Sequence, residues 1–214
     1  MAESLYTINI KLNNKNCLVV GAGNVSERKI NGLLESRANV TVVSPEFTGG
    51  ILSLKGHPKL SLVAREFQEN DLKNMFLVIS ATNNRNLNSR IASLCNSKNI
   101  LINVVDDPEN SSFFVPSVVR RGDLSIAVST GGKSPALASK IGRELLSQFD
   151  EKYAKYLDIL GEIRDWAKIE IKDPLKRKEM LTQLLEIDIY ELIKLHEDGL
   201  IKERTLNVYP YSGT

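Results

Sequence analysis

Near its start the chain reads Cys17-Leu18-Val19-Val20-Gly21-Ala22-Gly23-Asn24-Val25-Ser26. Four apolar residues ending at a glycine predict a strand. Ile30, Leu33 and Leu34, at i, i+3 and i+4, predict a helix from about Ser26. The hexapeptide Gly21–Ser26 therefore fits G-x-G-x-x-small at a strand-to-helix turn. In that setting Gly21 permits the tight turn, Gly23 lets backbone approach a pyrophosphate, and Ser26 lets the helix pack closely on a sheet. The helix N-terminus adds unpaired N–H groups and the positive end of a dipole. Gly21, Gly23, Asn24 and Val25 are thus candidate cofactor contacts. Any strand-to-helix turn favours glycine, so a purely structural turn is the competing explanation.

The same alternation continues outward. Val40–Val43, Leu60–Ala64, Phe76–Ser80 and Ile100–Val105 are apolar or β-branched runs, and Asn86–Asn96 places Ile91, Leu94 and Cys95 on one helix face. Strands separated by helices imply parallel pairing with right-handed crossovers, hence an α/β fold with a Rossmann-like parallel sheet. Beyond it, Phe113–Val119 and Leu124–Val128 predict two short strands about a turn at Arg120-Arg121-Gly122-Asp123. Ser134-Pro135 then opens a helix to about Phe149, with Ser134 as N-cap. From about Asp150 the pattern predicts two or three amphipathic helices, broken near Asp173-Pro174 and Gly199, with no strand signal until Leu206. The expected organisation is a nucleotide-binding domain over 1–113, a short segment over 114–147 and a helical domain over 148–214.

Composition narrows the function. Of 214 residues 42% are hydrophobic and 25% charged, ordinary globular usage. No apolar run approaches the roughly 18 residues of a membrane span, and MAESLYTINI lacks a secretory pattern, so a soluble, cytoplasmic protein is expected. Residues 148–214 carry 11 Lys/Arg against 14 Asp/Glu, and residues 1–147 carry 17 against 12. That is too mild for a nucleic-acid partner but compatible with small anionic ligands on the N-terminal side. Two cysteines, Cys17 and Cys95, lie in apolar stretches, and two histidines lie far apart. Neither a disulfide framework nor a resident metal site is expected.

Four further segments carry chemistry. After the second strand come Ser44-Pro45-Glu46, where Glu46 is an off-register candidate for ribose hydroxyls; no arginine follows for a 2′-phosphate, which favours NAD over NADP. Ser80-Ala81-Thr82-Asn83 follows the fourth strand, where Thr82 borders a nicotinamide or simply caps the next helix. Asn103-Val104-Val105-Asp106-Asp107-Pro108 ends the fifth strand; Asp106 is a candidate general base, whereas Asp107 suits an Asp-Pro turn. Ser129-Thr130-Gly131-Gly132-Lys133-Ser134-Pro135 contains GKS, but a P-loop needs glycine where Ala127 stands. Strand, glycine turn, lysine and helix N-terminus still make a possible anion pocket. With Arg120, Arg121, Lys140 and Arg143 nearby, either an acidic substrate or a solvated basic face fits.

Three segments, VVGAGNVSERK (19–29), NVVDDPENSSFFVPSVVRRGDL (103–124) and AVSTGGKSPALA (127–138), resemble the precorrin-2 dehydrogenase family, the N-terminal half of siroheme synthase. The resemblance runs in order over about residues 5–150. It implies NAD-dependent oxidation of precorrin-2 to sirohydrochlorin, with Asp106 catalytic and with Arg120, Thr130, Gly131, Lys133 and Ser134 at the tetrapyrrole. It also implies a homodimer built through segment 114–147 and the following helices. Some members in addition insert ferrous iron, the same aspartate serving both reactions. In some relatives a phosphorylatable serine stands where this chain has Thr130. The methyltransferase half of the fused enzyme has no counterpart before Thr214, so methylation of the precursor is expected from another protein. Two alternatives remain: a bifunctional dehydrogenase and ferrochelatase, and a non-catalytic NAD-sensing domain on the same fold.

Overall fold

The computed structural model describes residues 5–201 and residue 203. The chain divides into two compact units, one up to Val115 and one from Pro116 onward. In the first, strands β1 (Asn16–Val20), β2 (Asn39–Ser44), β3 (Leu60–Ala64), β4 (Leu77–Ser80) and β5 (Leu101–Val104) alternate with helices α1 (Asn24–Glu35), α2 (Gly49–Ser53) and α3 (Arg85–Ser97). A 3₁₀ turn spans Glu69–Leu72. The strands form one sheet in the order β3-β2-β1-β4-β5, parallel at every pairing.

Successive strand residues point to opposite faces, and both faces are covered, which is why the strands read as continuous apolar runs. From β1, Cys17 and Val19 join Ile30 and Leu33 of α1 on one face. Leu18 and Val20 join Ile91, Ala92 and Cys95 of α3 on the other. The chain runs outward from β1 to β3, then returns to the centre and runs the other way through β4 and β5. The strand order thus reverses between β1 and β4, where a sheet of this kind opens a ligand crevice at its carboxyl edge.

The five strands predicted in this unit are present: Leu60–Ala64 has the expected bounds, and the others differ by one residue at one or both ends. The fifth stops at Val104, because Val105 and Asp106 enter a turn closed by Asp107 N–H on the Val104 carbonyl (3.2 Å). The first helix starts two residues before Ser26. The short α2 and the 3₁₀ turn carry no amphipathic period and were not expected.

In the second unit, β6 (Ser117–Arg121) and β7 (Leu124–Val128) form an antiparallel hairpin. The strand predicted from Phe113 begins only at Ser117. The four-residue turn expected at 120–123 contracts to Gly122-Asp123, because Arg120 and Arg121 pair with Ser125 and Leu124. Helix α4 (Pro135–Gln148) starts at Ser134, whose hydroxyl accepts the Leu137 N–H at 3.3 Å, as expected. Among the described residues helices α5 (Lys152–Glu170), α6 (Pro174–Gln183) and α7 (Ile189–Glu197) follow. Ile159, Ile163 and Ala167 of α5 repeat every four residues and pack on Met180, Leu184 and Leu192. The break expected at Asp173-Pro174 is present, and the structure shows it to be an N-cap followed by proline at the first helical position. A second break lies at Asp188, whose carboxylate accepts the Tyr190 and Glu191 N–H groups. Gly199, at φ 70°, follows the end of α7. The strand signal at Leu206 lies outside the described residues.

Candidate functional site

The carboxyl edge of the sheet gathers the ends of four strands. Gly21, just past β1, donates its N–H to the Val43 carbonyl of β2 (2.9 Å), and Ala81, just past β4, donates to the Val20 carbonyl (2.8 Å). Gly21 has φ 94°, and a Cβ there would collide with the Ala81 carbonyl group and stand 3.1 Å from the Thr82 nitrogen. Only glycine meets both demands. Gly23 is different: its φ is −85°, and a Cβ would meet nothing within 4 Å. The space beside it is open, and as the N-cap of α1 it leaves the first N–H groups of the helix without a side-chain cap. Asn24 and Val25, in that first turn, are exposed, whereas Ser26 is fully buried where α1 meets the sheet.

These features fit a dinucleotide. A pyrophosphate needs close approach to backbone, uncapped N–H groups and a small residue under the helix, and Gly23, the first turn of α1 and Ser26 provide them. Ser44 closes β2 and is buried, and Pro45 and Glu46 follow it into solvent. Glu46 therefore stands two residues past the strand end.

Thr82 is held more firmly than the sequence suggested. Its hydroxyl donates to Asn88 Oδ1 at 2.6 Å, and Ser80 Oγ donates to the same oxygen at 2.9 Å. The Asn88 Nδ2 group donates to the Thr82 carbonyl at 3.0 Å. Thr82 Oγ1 also accepts the Asn84 N–H (3.2 Å), and Asn84 in turn caps α3 at the Leu87 N–H (3.1 Å). Sequence reasoning missed Asn88. Its signal was a polar residue at the head of the buried stripe Asn88, Ile91, Ala92, Cys95.

The two adjacent aspartates have separate surroundings. Asp107 accepts the Asn110 N–H (3.2 Å) and the Asn110 side-chain amide (2.7 Å), building its own loop. Asp106 is exposed, at φ 59°, and makes no hydrogen bond among the described residues. Val105 N–H bonds the Ser80 carbonyl (2.9 Å), which fixes this turn beside the end of β4. Lys29 of α1, half-buried, is held below the ordinary amine range, first by burial and then by the neighbouring Arg28. The Asp106 carboxylate pulls it the other way. This cationic neighbour of Asp106 was also missed, since nothing in the spacing links helix α1 to the fifth strand.

Within the second unit, Arg120 and Lys133 are exposed. Thr130 Oγ1 accepts the Ser134 N–H (3.1 Å), and the Thr130 carbonyl accepts the Lys133 N–H (3.1 Å). Gly131 and Gly132, at φ 60° and 79°, complete this tight loop before α4. Arg121 has a structural task instead. Its guanidinium donates to the Phe149 and Leu146 carbonyls (2.8 and 3.2 Å) at the end of α4 and pairs with Glu151 at 3.3 Å. Among the described residues no group of three or more His, Cys, Asp or Glu is placed to hold a metal ion. No described helix is long and apolar enough to cross a membrane.

Comparison with known proteins agrees with this geometry. A family model for NAD(P)-binding domains matches residues 8–117, and one for the central part of sirohaem biosynthesis proteins matches residues 121–148. The chain is 37% identical over 169 residues to the siroheme synthase of Pseudoalteromonas translucida, covering 79% of this chain and 36% of that protein. It is 39% identical over 169 residues to the siroheme synthase of Psychromonas ingrahamii, covering 78% of this chain and 36% of the relative. It thus spans about a third of the length of these curated relatives. Among solved structures, SirC, a precorrin-2 dehydrogenase, superposes with a TM-score of 0.78 at 28% identity, covering 95% of this chain and 100% of SirC. The nucleotide-binding edge, the two consecutive family matches and the end-to-end structural likeness lead to one assignment: the chain belongs to the family formed by the NAD(P)-binding N-terminal part of siroheme synthases.

Proposed function

We propose that the chain is an NAD-dependent dehydrogenase that oxidises precorrin-2 to sirohydrochlorin in siroheme biosynthesis. The observation that carries this is the likeness to SirC over its whole length, joined to a carboxyl edge suited to a dinucleotide. NAD supplies the hydride acceptor; NAD and precorrin-2 give NADH, sirohydrochlorin and a proton. The α1 N-terminus and Gly23 hold the pyrophosphate, with Asn24 and Val25 beside it, and Ser44, Pro45 and Glu46 border the adenosine ribose. Thr82 and Gly21 set the crevice between the ends of β1 and β4. Asp106, exposed and without a hydrogen-bond partner among the described residues, takes the proton directly or through water. Arg120 and Lys133 offer cations for the substrate's carboxylates, with Thr130, Gly131 and Ser134 of the same loop beside them.

The protein acts in the cytoplasm as a homodimer. Ferrous iron would be a second substrate, handled at the same aspartate; chelation into a macrocycle leaves no resident metal centre. The deciding experiment is an anaerobic assay of precorrin-2 with NAD⁺ in the absence of metal, following NADH and the tetrapyrrole spectrum together. Coupled appearance of NADH and sirohydrochlorin supports the dehydrogenase, and Fe²⁺ added to the same cuvette tests chelation. Cofactor binding without turnover would favour an NAD-sensing domain instead.

A further inference from the structure

We propose that Asn88 is a positioning residue for the cofactor, acting through the Ser80–Thr82 loop. The proposal rests on the reading of the carboxyl edge as an NAD site and names the residue that sets the spacing of that site.

The amide of Asn88 is 6% exposed and faces three groups that only an amide satisfies together. Its oxygen accepts two hydroxyl protons, from Ser80 at the end of β4 and from Thr82 in the loop. Its nitrogen donates to the Thr82 carbonyl, a group that can only accept, and this fixes which end of the amide faces which partner. A carboxylate keeps the acceptor and loses the donor. Leucine loses both: the buried Ser80 hydroxyl loses its acceptor, the half-buried Thr82 carbonyl loses its donor, and the Thr82 hydroxyl is left with the Asn84 main chain alone.

The consequence reaches the crevice because this loop forms one of its walls. The Ala81 carbonyl stands against Gly21, and the Thr82 nitrogen lies 3.1 Å from the Gly21 Cβ position. The Thr82 hydroxyl proton is directed to Asn88, so the loop meets the cofactor with its backbone. Asn88 therefore determines where the β4 side of the crevice sits against the glycine turn on the β1 side. Helix α3 is itself fixed by the Asn84 cap and by Ile91, Ala92 and Cys95 in the core, so the amide is anchored on a rigid element.

The test uses the full chain, Asn88→Asp and Asn88→Leu, with NAD⁺ titrated by calorimetry and steady-state rates measured with precorrin-2. Asn88→Asp should weaken NAD⁺ about tenfold relative to wild type at about pH 8, the loss of one buried hydrogen bond with its donor. The ratio should fall towards one at about pH 5, where a buried carboxyl regains its proton and can donate to the Thr82 carbonyl. Its packed partners, Ser80 and Thr82, are uncharged, and the charges nearest in sequence on α3, Arg85 and Arg90, are exposed. Asn88→Leu should be weakened at both pH values. The KM for NAD⁺ should rise in step while kcat at saturating NAD⁺ stays within about twofold, since Asn88 does not touch the reacting atoms. If Asn88→Leu fails to fold, the near-isosteric Asn88→Asp decides alone. Wild type that binds NAD⁺ while folded Asn88→Asp binds equally at pH 8 overturns the proposal and leaves the NAD site standing. Wild type that does not bind NAD⁺ overturns both.

Discussion

The carbonyl carbon of Ala81 lies 2.8 Å from the point where a Cβ on Gly21 would stand. Two loops from strands 60 residues apart in sequence thus meet without room for a methyl group. Gly21→Ala should destabilise the fold by at least about 2 kcal/mol, since strain at positive φ adds to a clash with main chain that cannot rotate away. Gly23→Ala should leave the unfolding midpoint nearly unchanged, because its surroundings are open, yet weaken NAD⁺ by blocking backbone approach. Denaturant unfolding and NAD⁺ titration on both variants separate the two effects. Equal stability losses would show that Gly23 is merely structural.

Asp106 and Asp107 should respond to substitution in opposite ways. Asp106→Asn removes a carboxylate that holds nothing in the described structure, so stability and NAD⁺ affinity should be kept while dehydrogenase turnover collapses. Asp107→Ala removes the acceptor for Asn110 and should cost about 1 kcal/mol of stability. Full turnover in Asp106→Asn, with NAD⁺ bound normally, would end its role as base.

How much of this was legible in sequence depended on how local its cause was. Four of the five strands showed because strands buried on both faces are continuous apolar runs, while the edge strand β3 showed on its apolar residues alone. The Ser134 cap showed because capping is decided within four residues, and at Asp173 the sequence marked the break but not the cap. The break at Asp188 had the same kind of cap but no proline after it, and α2 holds two glycines in five residues. The candidate NAD residues could be placed on the strand ends from pattern alone. What could not be read was tertiary: that Asn88 would reach back across the loop to Ser80 and Thr82, that Lys29 would face Asp106, and that of two adjacent arginines one would turn inwards.

That last distinction is testable by itself. Arg121 binds two carbonyls at the end of α4, where a cation also complements the helix dipole, and its side chain is only 15% exposed. Arg121→Ala should lower stability by about 2 kcal/mol, and Arg121→Lys should restore little, since lysine lacks the planar fork that reaches both carbonyls. Arg120→Ala should leave the unfolding midpoint where it is and raise the KM for the carboxylate-rich substrate. Thermal melts beside steady-state kinetics would expose the error if the two arginines behaved alike.

Arg65 and Asp71 give the first unit a pH-dependent tie. The guanidinium meets the carboxylate through both oxygens, at 2.8 and 2.5 Å, and the Gln68 N–H adds a bond of 2.8 Å in the capping box of the 3₁₀ turn. The hydrogen bond from Arg65 is the main cause holding the Asp71 carboxyl below its usual range; burial opposes it, and the Gln68 N–H and the Arg65 charge reinforce it. A depressed folded-state value means the carboxylate stabilises the fold fully above its unfolded value of about 3.9, and that contribution is lost as pH falls through the folded value. Asp71→Asn should therefore lower the urea midpoint at neutral pH, with the gap to wild type shrinking as both are taken below about pH 4. Because the arginine is partly exposed, added salt should narrow the gap at neutral pH as well. A gap of the same size at pH 7 and at about pH 3 would mean that Asp71 acts through its hydrogen-bonded shape and not its charge.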